Sequence, residues 1–101
     1  MRNVVVRYKV KPECVAENVA LIREVFEELA HVKPAEVRYD AYQLPDAVSF
    51  VHVVATAASA EDSPLLKLAS FQRFLADIKS RVEEAPLTND THPIGHFDSF
   101  A

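Results

Sequence analysis

The sequence of 101 residues predicts one α+β domain, in which an antiparallel sheet of four strands is covered by two helices. Four short segments are rich in β-branched or aromatic residues, and two longer segments repeat apolar residues at steps of three and four. Their order is strand, helix, strand, strand, helix, strand, so residues 1–47 and 48–101 each form a strand–helix–strand half. This is the ferredoxin-like split βαβ pattern, and residues 1–101 form a single domain without a linker.

The first half begins with the β-branched run "NVVVRYKV", which predicts a strand over residues 3–10. Pro12 is suited to the first turn of a helix, and Pro34 ends that helix. One apolar face is expected along the helix, formed by Val15, Val19, Ile22, Phe26 and Leu29. The alternating segment "EVRYDAYQL" predicts the second strand over residues 36–44.

The second half begins with "VSFVHVVATA", which predicts the third strand over residues 48–57. Ser63 and Pro64 open a helical turn, and Ser70 is expected to cap the main body of the second helix. Asp77 and Arg81, four residues apart, are expected to pair on the solvated surface of this helix. "THPIGHFDSF" predicts a weaker last strand over residues 91–100. The apolar face of the second helix is expected to carry Leu68, Phe71, Leu75, Ile78 and Val82.

The third strand is apolar on both of its faces. Val48, Phe50 and Val54 share one face with His52, whereas Val51, Val53 and Ala55 lie on the other. Two helices can cover only one face of the sheet, and a second copy of the chain is the simplest cover for the other. The sequence therefore predicts a homodimer that buries more than roughly 2,000 Å² between two sheets.

The composition argues against several partners. The net charge of −4 comes from 11 basic and 15 acidic residues without charge blocks, whereas nucleic-acid binding needs a clustered basic face. The apolar run near the N-terminus is too short and too charged for a signal peptide, and no segment has the length of a membrane span. A cytoplasmic protein is therefore predicted, with no nucleic-acid or membrane partner.

Single residues also argue against several kinds of site. Cys14 alone forms neither an internal disulfide nor a thiolate cluster, and Gly95 alone does not make a phosphate-binding loop. His92 and His96 would lie about 13 Å apart on an extended strand, too far to share a metal ion, and no third ligand is evident. His31 suits the C-terminal end of the first helix, where a cation is favoured. No metal site is predicted.

Over essentially its whole length, the chain resembles the antibiotic biosynthesis monooxygenase (ABM) family of dimeric α+β barrels. The resemblance is carried by "VVVRYKVKPE" running into the first helix, "VSFVHV" in the third strand and "SFQRFLADI" in the second helix. It implies two sheets packed face to face in a homodimer, with a pocket between helices and sheet in each subunit. Some members oxygenate quinols or polyketide aromatics without a cofactor, some degrade haem, and many have no known activity.

In the resemblance, the haem-degrading branch of that family carries an Asn–Trp–His set. This chain lacks that set. Val6 stands at the position of the asparagine, the chain has no tryptophan, and related second helices have His–Phe where this one has Ser70–Phe71. Haem degradation is therefore not expected. Because a thiolate set and a phosphate loop are also missing, we expect the purified protein to contain no metal, haem or flavin, and to use no cofactor.

His52 is the strongest candidate for a functional residue, because the resemblance places its face of the strand toward the pocket. Cofactor-free oxygenation needs a base for a phenolic proton, a dry apolar cavity and a hydrogen-bond donor for the anion that forms. Burial would keep His52 neutral near pH 7 and able to act as the base. In the alternative interpretation, His52 is a core residue satisfied by a tyrosine hydroxyl or a carbonyl. The candidate pocket-lining residues are Tyr8, Tyr39, Phe50, Phe71 and Leu75.

Two functions from different classes follow. The first is a cofactor-independent monooxygenase that acts on a quinol or a similar polyphenolic compound. The second is a noncatalytic dimeric α+β barrel that binds a small apolar ligand or assists another protein. The histidine on the pocket face favours the first function, whereas the missing Asn, Trp and helix His favour the second.

Overall fold

Four strands form one antiparallel sheet with the order β2-β3-β1-β4. They are β1 (Arg2–Val10), β2 (Val37–Gln43), β3 (Ser49–Thr56) and β4 (Val82–Asp90). The structure is a computed structural model that describes residues 1–57 and 62–100. The predicted α+β architecture, with a four-stranded antiparallel sheet and helices, is confirmed.

The helices are α1 (Val15–Val32), α2 (Ala69–Ala76) and the four-residue α3 (Ile78–Arg81). Short 3₁₀ turns at Pro12–Cys14 and Pro64–Lys67 precede α1 and α2, and the Ser63 hydroxyl accepts a hydrogen bond from the Leu65 N–H. Helix α1 ends where Lys33 adopts a left-handed conformation (φ 50°) and donates its N–H to the Leu29 carbonyl, just before Pro34. Within the described ranges, no helix combines the length and apolar character needed to cross a membrane.

The last strand is not where the sequence pattern placed it. Residues 91–100 have no regular secondary structure, and β4 instead starts at Val82, directly after α3. Pro86 does not rule out a strand here, because β4 is an edge strand and the proline lies within a register irregularity. Between the pairs Arg7–Leu87 and Lys9–Glu84, two residues of β4 stand opposite one residue of β1. The bulge accommodates Pro86, which lies between these two pairs.

The second helical segment also differs from its prediction. Ser70 lies inside α2 rather than at its cap, and Glu28 of α1 caps the helix from outside. The Glu28 carboxylate accepts hydrogen bonds from the Ser70 N–H (2.9 Å) and hydroxyl (2.6 Å), which lower the pKa of Glu28. The predicted apolar face of this helix carried Leu75, but the apolar side chain that α2 buries is Phe74, one residue earlier. The buried face of α2 is therefore offset by one residue from the predicted face.

Arg81 does not form the surface pair with Asp77 that its spacing predicted. Its side chain is 1% exposed and lies in the core, beside residues of α1 and β1. The rest of the core contains Tyr8, Val10, Ile22, Val25, Phe50 and Phe74, which pack between the helices and one face of the sheet.

The other face of the sheet carries a central apolar strip on β1 and β3, which we call the open face: Val5, Val51, Val53 and Ala55. Cross-strand pairing confirms the two-sided character of β3, since Val5 stands opposite Val53 while Val6 stands opposite His52. Val53 is 37% exposed, and Leu87 of β4 is 63% exposed. No helix of the described chain covers these side chains.

Candidate functional site

His52 lies on the helix-facing side of β3 and is 4% exposed. Its position follows from the strand register, which sets it opposite Val6 of β1 and Ala41 of β2. Both ring nitrogens have a tyrosine partner: the Tyr8 hydroxyl lies 2.9 Å from Nε2, and the Tyr39 hydroxyl lies 2.5 Å from Nδ1. The imidazole is thus held between two phenol groups that come from the strands on either side.

The hydrogen bonds continue beyond Tyr8 into the helices. Asn18 of α1 is fully buried and donates from Nδ2 to the Tyr8 hydroxyl at 3.0 Å. Arg81 donates from Nε to Asn18 Oδ1 at 3.2 Å and from Nη2 to the Phe74 carbonyl at 2.7 Å. We call this connected set of Arg81, Asn18, Tyr8, His52 and Tyr39 the buried chain.

Aromatic rings enclose the imidazole. Tyr8, Tyr39 and Phe74 all have ring centroids between 5.3 and 5.6 Å from that of His52. Phe71 packs edge-on against Tyr39 and stacks with Phe74. The Arg81 guanidinium lies 5.3 Å from the centre of the Phe74 ring, a cation–π contact. Water is therefore largely excluded from the His52 imidazole.

Burial sets the protonation states in the buried chain. It lowers the pKa of His52 to about 4, because the charged imidazolium loses its hydration, so His52 is neutral at pH 7. Burial also raises the pKa of Tyr8 to about 12, partly offset by the Asn18 hydrogen bond and the Arg81 charge. The pKa of Tyr39 is raised by burial as well. Both phenols therefore keep their protons.

These protonation states predict a loss of stability in mild acid. The unfolded chain protonates His52 near its ordinary pKa of 6.5, whereas the folded chain does so only near 4. The contribution of neutral His52 is thus complete above pH 6.5 and decreases as the pH falls toward 4, by about 3 kcal/mol in total. Urea unfolding across this range should show the decrease.

The control for this prediction is His52→Gln, which has no titratable group at position 52. Glu28 and Asp46 also have lowered pKa values, through hydrogen bonds from Ser70 and Ser49, and they reduce stability at more acidic pH in both proteins. The difference between parent and variant therefore isolates His52. Equal pH dependence in the two proteins would contradict a neutral buried His52.

Two adjoining clefts lie between α1 and β2, close to the buried chain. The larger is about 580 Å³ and has an apolar lining formed mainly by Val19, Ile22, Phe26, Ala41 and Phe50. The smaller is about 340 Å³ and includes Phe26, Leu29, Val37 and Tyr39. Phe26 and Ala30 belong to both clefts. These volumes suit a small aromatic molecule.

The predicted site residues occupy different places around these clefts. Phe50 lines the larger cleft and Tyr39 the smaller, whereas Tyr8 and His52 lie behind them in the core. Phe71 reaches the site through its contact with Tyr39. Leu75 is 41% exposed and lies outside both clefts.

The sequence argument missed Asn18 and Arg81, although a signal was present. Asn18 is four residues before Ile22, and Arg81 is seven residues after Phe74, so each polar residue lies on a helical stripe of otherwise apolar side chains. His92 and His96 are both exposed. In the part of the chain that the structure describes, no three His, Cys, Asp or Glu residues are grouped so as to hold a metal ion.

Comparison with known proteins identifies the fold. No family model matches the chain, and no curated protein matches its sequence. A solved antibiotic biosynthesis monooxygenase superposes with a TM-score of 0.76 at 19% identity, over 94% of this chain and 100% of its own. A Nitrosomonas europaea protein provisionally given that name has a TM-score of 0.77 at 15% identity, over 94% of this chain and 100% of its own.

A third structure carries a more specific description. SnoaB, a cofactor-independent oxygenase from Streptomyces nogalater, superposes with a TM-score of 0.67 at 14% identity, over 94% of each chain. At these identities the comparisons establish architecture alone. The resemblance recognised in the sequence is confirmed at that level: the chain has the fold of the proteins named antibiotic biosynthesis monooxygenases.

Proposed function

We propose that the protein is a cofactor-independent monooxygenase that binds a quinol or related phenol in the clefts between α1 and β2. The observation that carries the proposal is a neutral, buried His52 hydrogen-bonded to Tyr39, which lines the smaller cleft. The fold shared with SnoaB, a cofactor-independent oxygenase, supports the same reaction class.

The chemistry needs only dioxygen as co-reactant. A phenol that has lost its proton is electron-rich and can transfer an electron to O2, after which the two radicals combine into a peroxide. The peroxide forms at a ring carbon that bears a hydrogen atom. Cleavage of its O–O bond, with loss of that hydrogen and of the outer oxygen as water, leaves a carbonyl, so one oxygen atom enters the product and the other becomes water. The protein has to bind the ring, exclude bulk water and stabilise the phenolate.

Two roles of His52 fit this reaction. In the first, His52 is the base that accepts the phenolic proton by way of Tyr39. In the second, His52 holds the Tyr39 hydroxyl so that it donates a hydrogen bond to the substrate anion. Both roles use the 2.5 Å contact between Nδ1 and the Tyr39 hydroxyl, but they require opposite directions of donation across it.

A second candidate function is noncatalytic binding of a small apolar ligand in the same clefts. It is favoured by the position of His52, which lies behind the cleft surface with both nitrogens already bonded. In that case the clefts bind an aromatic molecule, and no oxygen is consumed.

A cleft-filling substitution tests the binding site. Ala30 is exposed and lines both clefts, so Ala30→Trp is expected to fill them without disturbing the core and to raise KM for a reactive hydroquinone at least tenfold. Oxygen uptake across a hydroquinone panel is the measurement. Glu24→Trp, on an exposed position of α1 outside the clefts, is the matched control.

Three outcomes separate the functions. The oxygenase is supported if the parent consumes oxygen and if Ala30→Trp, but not Glu24→Trp, weakens this oxygen uptake. Binding of the aromatic compounds without uptake supports the second function. Equal effects of the two tryptophan substitutions would place the site elsewhere.

We also propose that the protein forms a homodimer through the open face of its sheet. The apolar strip is continuous across β1 and β3, and its members Val5, Val51 and Val53 keep exposed surface, whereas Ala55 is buried. Such a dimer would leave the clefts on the outer, helical side of each subunit.

A further inference from the structure

We propose that Arg81 and Asn18 fix the direction of every hydrogen bond in the buried chain, so that Tyr39 is a hydrogen-bond donor toward the smaller cleft. The ligand recognised there is then an aromatic compound that carries an acceptor oxygen, as in a phenolate or a quinone. The inference rests on the proposed function for the presence of a ligand, and it selects the second role of His52.

The direction starts at Arg81, because a guanidinium has donors and no acceptor. Its Nε can bond Asn18 only through Oδ1, which fixes the orientation of the amide. The Nδ2 group of Asn18 is therefore the one that faces Tyr8, as a donor, at 3.0 Å.

The hydrogen bond between Tyr8 and His52 has a fixed direction as well. Its oxygen accepts from Asn18, so its own proton needs a different acceptor, and His52 Nε2 at 2.9 Å is its other bonded partner in residues 1–57 and 62–100. An unpaired hydroxyl donor in a buried site is costly, and Nε2 must therefore carry the lone pair. Neutral imidazole then has its proton on Nδ1.

Tyr39 is the end of the buried chain. Its oxygen accepts from Nδ1–H, so its own proton is left without an acceptor among the described residues. Bonds aligned in one direction polarise each other, which strengthens this final donor. The positive end of the chain is Arg81, which forms no ion pair with a carboxylate within the described ranges.

The lining of the smaller cleft completes the description of the ligand. Phe26 and Tyr39 have ring centroids 4.9 Å apart, and both line this cleft, which favours an aromatic ring. An acceptor oxygen on that ring satisfies the Tyr39 proton. A ligand without an acceptor leaves the proton unpaired and is bound more weakly.

The substitution Asn18→Asp reverses the chain without changing its shape. A carboxylate accepts from both neighbours, so Tyr8 would donate to position 18 and accept from His52 Nε2–H. Nδ1 would then accept from Tyr39, whose proton would no longer reach the cleft. Because the carboxylate also gives Arg81 an ionic partner, we expect the variant to fold.

The tautomer of His52 is a readout that needs no ligand. Long-range ¹H–¹⁵N correlation spectra of the folded protein should show the Nδ1–H form in the parent and the Nε2–H form in Asn18→Asp. His52→Gln identifies the resonances, since His31, His92 and His96 remain. The Nε2–H form in the parent, or no change in the variant, would overturn the proposal.

Binding of two probes tests the ligand class. Lawsone, a hydroxynaphthoquinone, is an anion at neutral pH, and naphthalene has a similar ring system without oxygen. Asn18→Asp is expected to weaken lawsone binding about 10–100-fold and to leave naphthalene binding unchanged. Calorimetric titration measures both.

Tyr39→Phe is the control that separates lost donation from simple charge repulsion. In its background, Asn18→Asp should have no further effect on lawsone, since the donor is already gone. An undiminished effect in that background would mean that the new carboxylate acts by repulsion, and it would overturn the ligand assignment. Oxygen uptake does not enter any of these measurements, so a binding protein without oxygenase activity would still support the inference.

Discussion

Replacing His52 with alanine is expected to lower oxygen uptake with a reactive hydroquinone by about 10²–10³-fold, the usual effect of losing a donor to a developing anion. The substitution removes the N–H that holds the Tyr39 hydroxyl and leaves the Tyr8 proton without an acceptor. His52→Gln should remain within about tenfold of the parent, because its amide oxygen can accept from Tyr8 while its NH2 donates to Tyr39. An oxygen electrode compares the three proteins.

The glutamine variant separates the two roles of His52. Glutamine cannot act as a base at neutral pH, so an equal loss of about 10²–10⁴-fold in both variants would identify His52 as the base and contradict the donor role. Unchanged turnover in folded His52→Ala would end either role. The alanine variant should also lose about 1–3 kcal/mol of stability for each hydroxyl left unpaired, so the assay belongs well below its melting temperature.

Val53→Glu is expected to dissociate the dimer completely. Val53 lies at the centre of the open face and directly opposite Asp40 of β2, so a glutamate there would place two carboxylates side by side within the proposed interface. Sedimentation at micromolar concentration should give about twice 11.3 kDa for the parent and the single-chain mass for the variant.

Val53→Thr is the matched control, since it keeps the β-branched shape and adds only a hydroxyl. It should remain a dimer, and circular dichroism should show all three proteins folded. A parent that sediments as a monomer would contradict the proposed interface, and a dimeric Val53→Glu protein would place it on another surface.

The fold was largely predictable from the sequence where a single periodicity governs a segment. The strands β1, β2 and β3 lie within one residue of their predicted bounds, and helix α1 begins three residues after Pro12 and ends two residues before Pro34. These elements were predictable because their side chains alternate or repeat against one core. The pattern failed at β4, all of whose residues except Val82 are exposed. An edge strand that buries almost nothing leaves no hydrophobic period, and its existence depends on the free edge of β1.

The site was predictable only in part, for a related reason. His52 and Tyr8 could be placed on one face by strand parity, since neighbouring strands bring paired residues together. Asn18 and Arg81 contact each other although they are 63 residues apart in the sequence. Patterns of nearby residues cannot predict a contact over that sequence separation. Spacing favoured an Asp77–Arg81 pair, whereas packing buried the arginine against Phe74.

The irregular edge of β4 also limits how molecules of this protein can grow into larger assemblies. A strand from another molecule could extend the sheet only by matching an unbroken row of N–H and C=O groups. Pro86 has no N–H to offer, the two register shifts interrupt the row, and Glu83 and Glu84 bring negative charge to it. Fibre-like stacking through this edge is thereby disfavoured.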